Sequence, residues 1–312
     1  MKKFIIKRFF SMLLTAFLVA TATYFIMFLV PGDPLGEAVM DMPEDMQANY
    51  MAKYGLDKPV SVQYYLYMKN LLTNFDFGES IIYPGRSVNS ILEDGIPVSA
   101  QIGLQGLLFG IPLGLGFGIL AANYRGKWVD YLVMFVSLSA ISIPSFVFAS
   151  MLQYVFAFEL GMFPITGWGT FACTVLPSLS YGIRSIGVKA RYMRTSWLDV
   201  MNQDYVLAAE SIGMSKFALQ MKVIFRNAIS PIVTILVPEL ALIFTGTFVL
   251  EMIYSIPGIG YYFVNSVTSR DYPMIIGQTI FISVCYILAM FLVDILYMVI
   301  DPRVRLDKKG AS

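Results

Sequence analysis

Long apolar runs separated by short charged segments dominate the pattern of this chain. Runs of about 20 apolar residues match the hydrocarbon thickness of a bilayer and predict spanning helices. Six such runs are present: Phe9 to Val30, Ser99 to Ala122, Val129 to Phe158, Leu176 to about Leu198, Ile229 to Leu250, and Ile275 to Ile300. The third is long enough to tilt or to include an interfacial turn. The pattern predicts an all-α integral membrane protein with six transmembrane helices. It divides the chain into residues 1–30 (N-terminus and first span), 31–98 (a long loop region), 99–300 (a five-span core with a second long loop at 199–227) and 301–312 (a tail).

The first run follows Lys2, Lys3, Lys7 and Arg8 with no acid, and Ala20-Thr21-Ala22 offers small residues for cleavage, as in a signal peptide. The apolar stretch continues to Val30, however, beyond the roughly 7–15 residues of a signal h-region. It is read as an uncleaved first span.

Composition agrees with the pattern. Hydrophobic residues make up 57% of the 312 and charged residues 14%, against about 45–50% and 25% in soluble domains. The net charge of +1 hides an asymmetry. With the N-terminus inside, sixteen of the 22 Lys and Arg fall on the cytoplasmic side, including Arg125, Lys127, Lys189, Arg191, Arg194, Lys216, Lys222, Arg226 and Arg303. Basic residues near span ends set orientation, so both termini are expected in the cytoplasm.

Histidine is absent, and the two cysteines, Cys173 and Cys285, have no C-x-x-C spacing. A disulfide framework and a His- or Cys-based zinc site are not expected. Gly182 and Gly187 have the separation of a phosphate-binding loop, but Val188 stands where its lysine belongs, within a span. Without histidine no serine triad can be built. The chain is expected not to be an enzyme and to need no cofactor. If the chain takes part in active transport, the energy comes from elsewhere.

The external loop, 31–98, carries ten acids against four bases and is punctuated by Pro31-Gly32-Asp33-Pro34, Lys58-Pro59 and Tyr83-Pro84-Gly85. Gln63 to Leu72, with Tyr64, Tyr65 and Tyr67, suits a helix at headgroup level; a solvated cap is the other reading. In the cytoplasmic loop, Asp204 and Tyr205 precede a helix-favouring run, Val206 to Ile212. Gly213 interrupts it, and Ser215 can cap the next run, Lys216 to Arg226. Two short helices in an L would suit docking of a cytoplasmic partner, or serve as a plain connection.

Inside the membrane, Gly103, Gly106, Gly110, Gly114 and Gly118 line the second span, where small residues let backbones approach. Packing within the chain is the first reading, contact with a second subunit the other. Arg184 in span four and Glu239 in span five are costly at such depth, about 2.5–3.5 kcal/mol each. Two readings stay open: they pair or share a water-filled cavity, or each is satisfied separately. Asp294 and Glu251 are read as structural anchors.

Taken in order along the chain, these features resemble the permease subunits of bacterial ABC peptide importers, specifically the first permease of the oligopeptide/dipeptide/nickel group. The resemblance rests on Pro31-Gly32-Asp33-Pro34, Tyr54-Gly55-Leu56-Asp57-Lys58-Pro59 with Gln63-Tyr64, Phe77-Gly78-Glu79-Ser80, Gly110-Ile111-Pro112-Leu113-Gly114 and Ser142-Ile143-Pro144-Ser145-Phe146. It continues through Pro257-Gly258-Ile259-Gly260, Arg270-Asp271-Tyr272-Pro273 and Asp301-Pro302-Arg303-Val304-Arg305.

ABC import permeases carry an E-A-A-x3-G element in the cytoplasmic loop. Ala208-Ala209-Glu210-Ser211-Ile212-Gly213 fits its A-A-x3-G part, with Leu207 in place of the Glu and Glu210 where relatives commonly have a base. The resemblance implies a type I importer permease fold, with a coupling helix in which Asp204, Tyr205, Ala208, Ala209, Glu210 and Gly213 contact an ATPase. It implies as partners a second homologous permease, two ATP-binding subunits, an extracellular binding lipoprotein and a peptide cargo, in the bacterial cytoplasmic membrane. Nickel or another small solute as cargo is a variant of this reading. A self-contained secondary transporter is the alternative, but no convincing repeat and only a thin carboxylate relay, Glu239 with Asp294, supports it. An intramembrane enzyme lacks its nucleophile–base pair.

Overall fold

The computed structural model describes residues 2–27, 40, 47–48, 51–52, 55, 57–83 and 85–300, with backbone alone for 2–4, 241 and 296–300. The Pro31–Pro34 turn, Tyr54, Leu56, Pro84 and the tail from Asp301 lie outside the described residues. The chain divides into two compact units: Met1–Ser99 with Phe244–Phe248 and Pro257–Ser312, and Ala100–Ile243 with Val249–Ile256.

In the first unit, α1 (Lys2–Met27) lies along α12 (Tyr272–Ile300). An Arg8–Asp294 ion pair joins them, so Asp294 does anchor a helix. A helix, one of the readings open for Gln63 to Leu72, is present as α2 (Val60–Asn74). Its Tyr64 and Tyr67 pack on Tyr24 of α1, and the Tyr64 hydroxyl is 2.7 Å from that of Thr21. A short helix, α11 (Ile259–Thr268), follows the Pro257-Gly258 turn; its first N–H donates to Ser99 Oγ at 2.9 Å.

Asp271 organises one end of this unit. Fully buried, it accepts from the Ser80 hydroxyl and from the Ile81, Ile82 and Met274 amides. One carboxylate thereby satisfies both the start of α12 and the turn after Phe77-Gly78-Glu79-Ser80.

The helix expected to start at Ser99 begins eleven residues earlier, as α3 (Val88–Asn123). Glu93, Asp94, Gly95 and Pro97 read as loop, but Ser87 Oγ accepts the Ser90 amide and nucleates the helix before them. Gly95 then lets Gly258 and Ile259 approach, where a Cβ would lie 3.1 Å from the Ile259 nitrogen.

The second unit holds the rest of α3 and α4 (Trp128–Ser142), α5 (Ser145–Glu159), α6 (Phe171–Met201), α7 (Asp204–Ser211), α8 (Lys216–Ala228) and α9 (Ser230–Thr245) as far as Ile243. It also includes most of α10 (Phe248–Tyr254). The third apolar run is not one straight span: α4 and α5 meet at 102°. Pro144 has no N–H for the helical ladder and forces Ile143 into an extended conformation, φ −79°, ψ 127°.

The glycines of α3 settle the packing question. Cβ atoms added at Gly106, Gly110, Gly114 and Gly118 would lie 2.9, 3.1, 2.8 and 2.6 Å from the carbonyl oxygens of Ser178, Gly182, Ile186 and Ala190. Each carbonyl belongs to the residue 72 positions further on, so α3 and α6 run parallel in one fixed register, backbone against backbone. Cα–H···O contacts suit this repeat. Gly182 answers from α6, where a Cβ would lie 2.6 Å from the Gly106 carbonyl. The contact is within the chain.

Gly118→Val should therefore cost about 1–3 kcal/mol or more, because the obstruction is backbone that cannot swing aside. Gly116→Val, on the same helix with nothing within 4 Å of its Cβ, should be neutral. Thermal unfolding of the two purified variants, followed by size-exclusion chromatography, checks the contrast.

Candidate cytoplasmic docking element and the charged face of α6

The base of α6 carries an L-shaped element. After Met201 the chain turns at Asn202–Gln203, and α7 starts with Asp204 in its first turn, where an acid suits the helix dipole. The end of α7 is a Schellman motif: Gly213 N–H donates to the Glu210 carbonyl at 3.0 Å and Met214 N–H to the Ala209 carbonyl at 3.4 Å. Gly213 sits at φ +81°. Ser215 then caps α8, its Oγ accepting from the Ala218 amide at 3.4 Å.

This element is seated on a core rather than hanging free. Met193 and Trp197 of α6, Val206 of α7, Leu219, Ile224 and Ala228 of α8, Ile232 of α9 and Ala122 of α3 form one buried cluster. The opposite side is apolar and uncovered in the chain: Leu207 is 66% exposed, Ile212 80% and Phe217 75%. All six residues expected at the coupling site, Asp204, Tyr205, Ala208, Ala209, Glu210 and Gly213, fall on α7 and its C-cap. Only Ala209 among them is partly buried, and the others are exposed.

Two ion pairs fix α6 above this element. Arg194 grips Asp130 of α4 bidentately, at 2.5 and 2.7 Å, and Asp130 also accepts the Gly126 amide at 3.0 Å. Asp130 is 2% exposed. The pair ties the α3–α4 turn to α6 one turn before Trp197. Higher up, Lys189 Nζ donates to Glu239 of α9. The Lys189 side chain is 2% exposed and Glu239 23%.

Pairing with Arg184 is one of the two readings the sequence leaves open for Glu239; in the structure its ion-pair partner is Lys189. Five residues separate the two cations on α6, which sets them about 140° apart around the helix. Lys189 shares the face of Gly182 and Ser178 that packs on α3, whereas Arg184 points off it and is exposed. Depth along the helix does not choose between the two cations. Lys189 and Arg194 read in the sequence as ordinary cytoplasmic bases. The signal that could have found Lys189 was its place on the small-residue face of α6, where any charge must be buried. Among the described residues no group of three or more His, Cys, Asp or Glu could hold a metal ion.

Glu239→Gln should strand the buried ammonium and cost about 3–5 kcal/mol, seen as loss of monodisperse protein in detergent. The reversal Lys189→Glu with Glu239→Lys should recover much of it, while Arg184→Glu with Glu239→Arg should not.

Comparison with known proteins places this geometry. Residues 114–306 match the family described as binding-protein-dependent transport system inner membrane component, and residues 1–86 match the N-terminal region of such membrane components. The dipeptide transport system permease protein of Bacillus subtilis (strain 168) is 41% identical over 99% of this chain and 100% of its own length. The oligopeptide transport system permease proteins of Haemophilus influenzae and Escherichia coli (strain K12) are 38% and 36% identical, each over 98% of this chain and their full length. In fold, the chain is similar to a solved amino acid ABC transporter with histidines, at a TM-score of 0.51 and 17% identity over 69% of this chain and 94% of that one. The chain belongs to the family of binding-protein-dependent transport system inner membrane components, with the all-α permease fold of ABC transporters.

Proposed function

We propose that this chain is one of two membrane-spanning subunits of an ATP-driven importer for dipeptides or oligopeptides, delivered by an extracellular binding protein. The cargo follows from the relatives, which are named as dipeptide and oligopeptide permeases. The observation that carries the reading is the exposed apolar side of the α7–α8 element, Leu207, Ile212 and Phe217, on a buried core continuous with α6. Apolar patches of this kind on a water-facing element mark protein interfaces. Here the partner is an ATPase subunit.

In this reading a second, related permease completes the pathway, and two ATP-binding subunits carry out hydrolysis. Both termini face the cytoplasm of a bacterial cell. ATP binding draws the ATPases together, moves the docking elements and opens the permease pair outward; hydrolysis resets it inward. A nucleotide shifts such an equilibrium only by binding its two states differently. That difference belongs to the ATPases, and this chain transmits it through the core beneath α7.

Purification from the native membrane in mild detergent should recover a second permease and two nucleotide-binding subunits in stoichiometric amounts. Ile212→Asp combined with Phe217→Asp should remove the ATPases and leave the permease pair together. Gly213→Val should strain the left-handed turn by about 1–2 kcal/mol and uncouple hydrolysis from uptake, without blocking insertion. Recovery of this chain alone, transporting in liposomes without ATP, would overturn the reading in favour of a secondary transporter.

A further inference from the structure

Three helices among the described residues are long and apolar enough to cross a bilayer unbroken, and α6 is not among them, although it has 31 residues. Arg184, Lys189, Arg191 and Arg194 account for much of this. Two of the four are satisfied within the chain, Lys189 by Glu239 and Arg194 by Asp130. A further acid within a span, Asp294, is held by Arg8. Arg184 is left over: it is exposed, and among the described residues its side chain makes no hydrogen bond or ion pair. It lies roughly 20 Å along α6 from Phe171, near the middle of the span that the hydropathy pattern predicts at Leu176 to Leu198. A cation at that depth does not face lipid; it faces protein, water or an anion.

Its surroundings favour water. Gly187, less than a turn from Arg184, packs against the Ser137 carbonyl and against Ala140 and Ile141 of α4. One turn further, α4 ends and the Ile143–Pro144 break opens the helical ladder, with Ser142 and Pro144 exposed. Non-helical backbone at membrane depth is tolerated only where it is buried in protein or lines a water-filled cavity. On the same side of α6, Arg191 and Thr195 are also exposed, seven and eleven residues beyond Arg184. The stripe is cationic and runs from mid-membrane toward the cytoplasmic end.

Charge complementarity selects the occupant. Peptides differ in every side chain but share one anion, the C-terminal carboxylate. A guanidinium is always charged, and its planar fork matches a carboxylate through two hydrogen bonds. We propose that Arg184 lines the translocation pathway and binds the C-terminal carboxylate of the cargo peptide within the membrane, with Arg191 the next cation toward the cytoplasm. This assignment rests on the peptide-importer reading above.

The test uses the complete importer in proteoliposomes, with Cys173→Ser and Cys285→Ser as background, and trialanine or its C-terminal amide as cargo. Arg184→Cys should lower ATP-driven trialanine uptake about tenfold or more and leave amide uptake unchanged. The introduced thiol should react with aminoethyl methanethiosulfonate, more slowly when cargo is present. The cationic adduct should restore trialanine uptake, and the neutral methyl adduct should not. In parallel, Arg184→Lys should retain more trialanine uptake than Arg184→Gln. An unreactive thiol in a complex with normal uptake places Arg184 against the second permease and overturns the assignment. So does equal uptake by the two adducts, or an equal loss in the Lys and Gln variants. If the background complex, with Arg184 intact, imports no trialanine under ATP, the importer reading itself falls and takes this assignment with it.

Discussion

The backbone contact between α3 and α6 is the constraint on which the second unit depends. In lipid, apolar side chains gain little from burial against one another, so helix association relies on close packing. Gly106, Gly110, Gly114 and Gly118 supply it by setting α3 directly against four successive carbonyls of α6. That register decides which face of α6 is buried, and hence that Lys189 meets Glu239 while Arg184 does not. It also places Met193 and Trp197 beside Ala122, forming the floor on which α7 and α8 rest.

Charge then adds direction to a contact that is otherwise steric. The Asp130–Arg194 pair and the Lys189–Glu239 pair hold α6 to α4 and α9 at two heights. Neither is a surface pair, and each leaves a buried charge if one partner is removed. The helix that leads straight into the docking element is thus tied to three others. The ion pairs lie between α7 and Pro177, the one proline within α6.

Much of this was legible in the sequence. Hydropathy marked the six apolar runs, of which α1, α3 and α12 are helices long and apolar enough to cross a bilayer unbroken, and the Gly213 turn and Ser215 cap were readable because both depend on local chemistry. The start of α3 was not, since Pro97 and two acids mimic a loop and Ser87 acts before them. The length of the third apolar run allows a turn within it, but the place and the 102° angle of the break at Pro144 are not legible, because an apolar run shows length and not direction. The partner of Glu239 stays open in the sequence because depth along a helix is visible there, whereas azimuth depends on which helix is packed against which. The glycine stripe held that azimuth, once its partner carbonyls were known.

The most direct test of this account asks whether α3 and α6 move as one body during the ATP cycle. Spin labels at Phe117 and Tyr192, both about two-fifths exposed, would report the distance between the helices in the assembled transporter by pulsed electron resonance. The account predicts that nucleotide-free and ATP-bound states differ by less than about 2 Å, the scale of packed helices adjusting. A shift of about 5 Å, one helical turn, would show the seam sliding and contradict it.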